Sequence, residues 1–282
     1  MKKLTGILCA SALLATIGLS SCGENSNKVI TVCASDVPHA EILNEVVKEK
    51  LASNGYDLRV SVLDWETQND AVAQGDYDAN YFQHVPYLTT YTGTTELTAT
   101  CKVHYEPLGI YKGKDDATLD NVKTIEICDD DSNAIRAFQL LQAKNILTDI
   151  PVSEDGTKLT FEGKEWTSSN GIKVTLIAEN LLASSKSDYD IACLPCNTAL
   201  TGNISSESRL AVEDSVDEVT GKANVLAVRK ADYKNNADYK AKIDALTDAL
   251  LSDDVKNFVS EKYKGVIICD SRTQIDLRSQ IN

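Results

Sequence analysis

Short apolar runs rich in β-branched residues alternate along this chain with stretches whose apolar positions recur at helical spacing. Lys28 to Ala34 (Lys-Val-Ile-Thr-Val-Cys-Ala) has the length and branching of a buried strand. Ser35 or Asp36 can cap the next element, with Pro38 near its first helical turn. Ile42, Leu43, Val46, Val47 and Leu51 then mark one face of a helix that ends near Asn54-Gly55. Leu58 to Leu63 predicts a second strand, and Glu66 to Gln74 a short helix closed by Gly75. Strand, helix, strand, helix with short connections is the pattern of a parallel α/β lobe.

The alternation continues downstream. Leu97 to Val103, Leu108 to Tyr111 and Thr124 to Cys128 read as strands. Asp129-Asp130-Asp131-Ser132-Asn133 offers N-cap residues to a long helix, Ala134 to Leu147, with Ile135, Phe138 and Leu141 inward. Free backbone amides at that helix start would favour an anion. Residues 149–171 are polar and predict a surface excursion, whereas Val174 to Ala178 and Ile191 to Leu194 are further strands. Asn224 to Val228 returns to the first lobe, and helices near 237–251 and 253–263 finish the chain against it. The pattern predicts two α/β lobes, 29–105 with 222–282, and 106–221. The chain would cross between them near Val103–Leu108 and Gly221–Asn224. Ligands of open α/β sheets sit at the carboxyl ends of strands, so a central cleft between the lobes is the expected binding place.

The N-terminus differs. Met1-Lys2-Lys3, then Leu4 to Leu19 almost without charge, then Ser20-Ser21-Cys22, is the layout of a secretory signal over residues 1–21. Its apolar part falls short of the roughly 20 residues that span a bilayer. Leu19-Ser20-Ser21-Cys22 resembles the bacterial lipobox, which implies lipid on Cys22 and a tether over 22–28. The expected location is the cell envelope, lipid-anchored and facing the periplasm or exterior.

Net charge is −14 and becomes −16 once the two leader lysines are gone, with no basic stripe to meet phosphates; nucleic acid is excluded as a partner. Six cysteines remain after Cys9 and Cys22: Cys33, Cys101, Cys128, Cys193, Cys196 and Cys269. Most lie in or beside apolar strand-like runs, where free cysteine packs as a small hydrophobe. Cys193-Leu194-Pro195-Cys196 is a CxxC, but it closes a strand rather than opening a helix, and no second CxxC completes a zinc site.

Asp78-Ala79-Asn80-Tyr81-Phe82-Gln83-His84-Val85-Pro86-Tyr87-Leu88 carries the densest functional signal. Rings, an amide and an imidazole suit a small polar molecule with an apolar tail. Pro86 discourages helix at His84 and Val85, so an irregular segment is expected there. Each of these residues alone is as well explained by core packing.

With the lipobox, lobes and cluster together, the chain resembles the NlpA/MetQ family, methionine-binding lipoproteins of bacterial ABC importers. The matching pieces are Pro38-His39-Ala40-Glu41, Asp78-Ala79-Asn80, Phe82-Gln83-His84, Pro86-Tyr87-Leu88, Glu106-Pro107-Leu108-Gly109-Ile110-Tyr111, Asp130, Ser132-Asn133, Arg136-Ala137 and Ala223-Asn224-Val225. The resemblance implies an α/β, two-lobed periplasmic-binding-protein fold, type II-like, with two crossover strands and a central cleft. It implies that Arg136 pairs with a ligand carboxylate through its bidentate fork, that Asn224 bonds the backbone groups of an amino acid, and that His84 donates near it. Phe82, Tyr87 and Trp65 would wall the side-chain pocket, Trp65 standing where relatives carry tyrosine. The implied partners are an L-methionine-like amino acid, an ABC permease and a membrane; no cofactor, metal or catalytic residue is implied. Pro195 stands where relatives carry asparagine, so one ligand hydrogen bond is lost or supplied by Asn197.

Two other classes are weighed against this. A metal-binding lipoprotein needs histidines at ligand spacing, which His39, His84 and His104 lack in sequence. A thiol-based enzyme would pair Cys196 with His84. A short peptide is an alternative ligand for the same cleft.

Overall fold

The computed structural model describes residues 28–213 and 221–281, so the expected leader, Cys22 and most of the tether lie outside the described residues. Two six-stranded mixed sheets organise it. The first is built from β1 (Val29–Ala34), β2 (Asp57–Val62), β3 (Ala79–His84), β4 (Leu97–His104), β11 (Asn224–Arg229) and β12 (Ile275–Asp276), in the order β12-β4-β11-β3-β1-β2. The second is built from β5 (Leu108–Lys112), β6 (Thr124–Cys128), β7 (Glu165–Thr167), β8 (Lys173–Ile177), β9 (Ile191–Pro195) and β10 (Arg209–Val212), in the order β10-β5-β9-β6-β8-β7.

Each sheet contains a run of three parallel strands, β2-β1-β3 at one end of the first and β8-β6-β9 within the second. The strands at the passages between sheets run antiparallel to it: β11 pairs with β3 and β4, and β5 with β9 and β10. Tyr105, Glu106 and Pro107 therefore join β4 in one sheet directly to β5 in the other, while β10 and β11 bracket the return. Strands β3, β9 and β5 are buried along nearly their whole length, as expected where helices cover both faces.

The helices agree with the sequence, with three differences. The first helical stretch opens in wide turns (Asp36–Ala40, Leu43–Val47) before α1 (Lys48–Ser53), yet it buries Ile42, Leu43, Val47 and Leu51 as the periodicity requires. Helix α2 (Trp65–Gln74) ends at Gly75, whose φ of 89° is the left-handed conformation glycine adopts without strain. Secondly, the segment around Pro86 is regular. β3 runs to His84 and α3 (Val85–Thr90) starts at once, because proline in a first turn removes an N–H that has no intrahelical partner. Thirdly, α4 is Asp131–Ala143, three residues earlier than the apolar spacing suggested, and α5 (Glu179–Ser185) and α6 (Cys196–Thr201) are too short to show a period.

One core packs Ile30, Val32, Leu43, Tyr81, Val103, Leu226 and Leu246 on the first sheet. A second packs Ile125, Ile127, Phe138, Leu141, Val174 and Ile191 on the other. All six described cysteines are free and buried. Burial pushes the thiols of Cys33, Cys101 and Cys269 up to about 12, which removes the thiolate that redox or nucleophilic chemistry needs. No described helix is long and apolar enough to cross a membrane.

Candidate functional site

Between the sheets lies a narrow cavity lined by Trp65, Phe82, Gln83, His84, Tyr87, Glu106, Asn133, Arg136, Pro195, Asn197 and Asn224. All seven ligand-binding residues expected from sequence are on that wall. Glu106, Asn133, Gln83 and Pro195 join them.

The aromatic side comes from the first sheet. Phe82 and His84 are two apart on β3 and so share a face. Trp65 opens α2 and Tyr87 sits in the first turn of α3. Ring centroids are 6.4 Å apart for Trp65–Phe82, 6.3 Å for Trp65–Tyr87 and 5.6 Å for Phe82–Tyr87, a mutually tilted triad. Behind it, amides lock the strand: Asn80 Nδ2 donates to Asn69 Oδ1 (2.9 Å), and Gln83 Nε2 donates to Asn69 Oδ1 (2.6 Å) and Asn80 Oδ1 (2.8 Å). The Asp-Ala-Asn-x-Phe-Gln-His string thus supplies both a buried amide network, through Asn80 and Gln83, and two rings of the pocket, Phe82 and His84.

His84 caps α3, its Nδ1 accepting from the Tyr87 backbone N–H at 3.1 Å. A backbone amide can only donate, so the neutral ring carries its proton on Nε2 and gives it to Asn133 Oδ1, 3.0 Å away. That bond spans the cleft, since His84 ends β3 of one sheet and Asn133 stands on α4 against the other. Burial, then the Arg136 charge, lower the His84 pKa to about 4.

Arg136 lies on the same α4 face as Asn133 and is 3 % exposed. Its fork is already engaged: Nε lies 2.9 Å from Glu213 Oε1, and Nη2 lies 2.6 Å from Glu213 Oε2 and 2.7 Å from the Glu106 carbonyl. Nη1 gives one proton to Asn133 Oδ1 at 3.2 Å and carries a second. The bidentate fork expected for a ligand carboxylate is held by a carboxylate of the chain, and Nη1 is the end left to meet a ligand. Burial alone would raise the Glu213 pKa; Arg136 outweighs it and holds the carboxyl at about 2. The anion position expected at the start of α4 is likewise filled from within. Asp130 Oδ1 accepts from Asn133 N (2.9 Å) and Ser132 Oγ (2.7 Å).

Glu106 comes from the first crossover and Asn224 from the start of β11, so the floor of the cavity is built from both passages between sheets. Asn197 is 3 % exposed, and its Oδ1 is buried without a hydrogen-bond partner. An orphaned acceptor in a cavity wall is a position for a ligand donor.

His39 and His104, far apart in sequence, meet at Glu106. His104 Nε2 is 2.7 Å and His39 Nε2 3.3 Å from Glu106 Oε1, with His39 Nε2 also 3.3 Å from Asn224 Oδ1. Spacing along the chain was therefore the wrong test for a histidine cluster. Two ligands on one zinc at ordinary bond lengths stand roughly 3.3 Å apart at a tetrahedral angle. The 2.7 Å His104–Glu106 contact is a hydrogen bond instead, and the Tyr81 hydroxyl completes it from behind at His104 Nδ1 (2.5 Å). In this arrangement the cluster is a proton-bearing network that orients Glu106. Burial first, against the pull of His39 and Arg136, raises the Glu106 pKa to about 7.

The surroundings match known proteins closely. The family model described as NlpA lipoprotein matches residues 30–269. The methionine-binding lipoprotein MetQ of Bacillus subtilis is 30 % identical over 95 % of this chain and 98 % of its own. Among solved structures, lipoprotein Tp32 of Treponema pallidum superposes with a TM-score of 0.75 at 27 % identity, covering 86 % of this chain and 100 % of that one. A nutrient binding protein of Burkholderia cenocepacia bound to methionine gives 0.72 at 26 % identity, covering 86 % of this chain and 99 % of that one. The Bacillus subtilis and Burkholderia cenocepacia proteins are named for binding, and none of the three for a reaction. With two mixed sheets facing each other across a lined cavity and a family match over most of its length, this chain belongs to the NlpA lipoprotein family.

Proposed function

We propose that the protein captures a free α-amino acid, methionine or a close apolar analogue, and delivers it to an ABC permease as a lipid-anchored binding protein. The observation that carries this is the division of one buried cavity into a polar end (Arg136, Glu106, Asn197, Asn224) and an aromatic end (Trp65, Phe82, Tyr87). The ligand carboxylate takes the second proton of Arg136 Nη1. Its ammonium reaches Glu106, Asn224 Oδ1 and the orphaned Asn197 Oδ1, which restores the hydrogen bond that Pro195 cannot make. The side chain lies among the rings. Arg136 and Lys222 stand against Glu213, and Glu106, its pKa raised to about 7, gains the ligand ammonium as a counter-ion that favours its charged form.

Ligand contacts to both lobes, across the gap that His84 and Asn133 already bridge, favour the closed form, and that differential affinity is the whole mechanism. The anchor is Cys22 and the site is the cell envelope, as relatives named membrane lipoproteins support. An outer groove shares Trp65 and Asn197 with the cavity and is lined by Ser35, Asp36, Asp64 and Glu179. Its buried Ser35 Oγ lacks a partner, which favours a dipeptide as the second reading.

Thermal shift against L-amino acids and methionine-containing dipeptides tests this. One amino acid should stabilise the protein strongly, by about 2.7 kcal/mol at a hundredfold excess over Kd. Stabilisation by a dipeptide alone would favour the second reading, and no stabiliser in either set would overturn both.

A further inference from the structure

Glu213 stands outside the cavity wall, yet it holds Arg136 of the lining and gathers donors from three parts of the chain. Oε2 accepts from Arg136 Nη2 (2.6 Å), the Tyr105 hydroxyl (2.8 Å) and the Leu108 backbone N–H (2.8 Å). Oε1 accepts from Arg136 Nε (2.9 Å) and Lys222 Nζ (3.0 Å). Its own backbone N–H donates to the Leu108 carbonyl at 3.0 Å. The side chain is 1 % exposed. A carboxylate has about four lone-pair sites, so these donors saturate it.

The donors come from three places. Arg136 is on α4. Tyr105 and Leu108 flank the first crossover. Lys222 is on the return, two residues before Asn224 of the cavity floor. We infer that Glu213 is a positioning and specificity-setting residue, the resident counter-ion of Arg136 and the clamp that ties its guanidinium to both passages between the lobes. This has two consequences. The ligand carboxylate meets an arginine whose charge is already matched and whose fork is taken, so it is read as one directed hydrogen bond at Nη1. The protein then separates a carboxylate from a neutral amide less sharply than an unpaired guanidinium does. And because Arg136 and the crossovers share one carboxylate, loosening either end loosens the other.

The specificity half rests on the amino-acid reading; the clamp half does not. Glu213→Gln keeps the shape and removes the charge. Titration calorimetry with L-methionine and L-methioninamide gives the ratio of the two affinities for wild type and variant. The ratio should rise about tenfold or more in Glu213→Gln, because the ligand carboxylate becomes the counter-ion of Arg136. A merely structural Glu213 lowers both affinities together, and an unchanged ratio overturns the specificity claim. Glu213→Asp keeps the charge but withdraws it from the fork, and should move the ratio in the same direction if the Gln variant does not fold.

The clamp is read without ligand, by amide hydrogen exchange at Leu108 in Arg136→Gln. Exchange there should speed up by about tenfold relative to the Thr124–Cys128 strand, as Glu213 loses its fixed partner. Unchanged protection at Leu108 overturns the clamp. If wild type binds neither probe, the amino-acid reading fails, and the Leu108 measurement still decides the clamp.

Discussion

Replacing His84 by asparagine isolates one titration that the fold makes costly. With the Tyr87 N–H aimed at Nδ1 and Nε2–H given to Asn133, the ring is satisfied only when neutral. A second proton must go on Nδ1, facing another donor, where it breaks the cap of α3 and sets a new cation near Arg136. Burial and that charge take the pKa from 6.5 to about 4. The folded value lies below the unfolded one, so the unfolded chain takes the proton first. The contribution is fully present above about pH 6.5 and is lost as pH falls towards 4. At about 1.4 kcal/mol per pH unit, wild type should lose roughly 2.7 kcal/mol through His84 by pH 4.5. Asparagine is a good N-cap and does not titrate, so His84→Asn keeps the cap without the pH term. Urea unfolding of both proteins at pH 7 and pH 4.5 measures the difference, in which the shared titrations of His39 and His104 cancel. Wild type should fall further than the variant by about that 2.7 kcal/mol. Parallel losses would refute the reasoning, because they would mean that His84 protonates as easily folded as unfolded.

Other expectations can be checked directly. Asn197→Ala removes an acceptor that has no partner in the free protein, so urea stability of the apo form should hold or rise slightly, while ligand affinity falls about tenfold. Phe82→Ala opens a cavity at a residue 3 % exposed and should cost about 3–5 kcal/mol of stability along with affinity, measured by urea unfolding and calorimetry. Iodoacetamide should leave the six buried thiols unlabelled in native protein and modify all six after denaturation, as mass spectrometry would count.

The strands and the longer helices were legible because periodicity reports burial, and burial is what the sheets and their covering helices impose. Thr124–Cys128 is a strand as read, and Ile42, Leu43, Val47 and Leu51 are buried together. Short elements were not legible: Cys196–Thr201 has fewer than two helical turns, too little for an apolar stripe, and Val85–Thr90 was hidden by Pro86, which disfavours helix before it in general but is accommodated in a first turn. The cavity wall was legible through the aromatic–amide string, whose resemblance to a family implied roles that single residues do not advertise. The long-range pairings were hidden. Nothing local to Glu213, a glutamate ending an apolar run, says that it meets Arg136, and nothing in the positions of His39 and His104 says that both converge on Glu106. Those contacts exist only because the chain passes between its sheets at 104–108 and again ahead of Asn224. Sequence spacing carries no trace of a meeting made by topology.

A crystal structure of the complex with the stabilising amino acid is the most direct test of a site divided between head group and rings. The account predicts one ligand carboxylate oxygen within hydrogen-bond distance of Arg136 Nη1, the ammonium at Glu106 and Asn197 Oδ1, and the side chain against Trp65, Phe82 and Tyr87. A ligand seated the other way round, with its carboxylate away from Arg136 or its tail outside the rings, would contradict it.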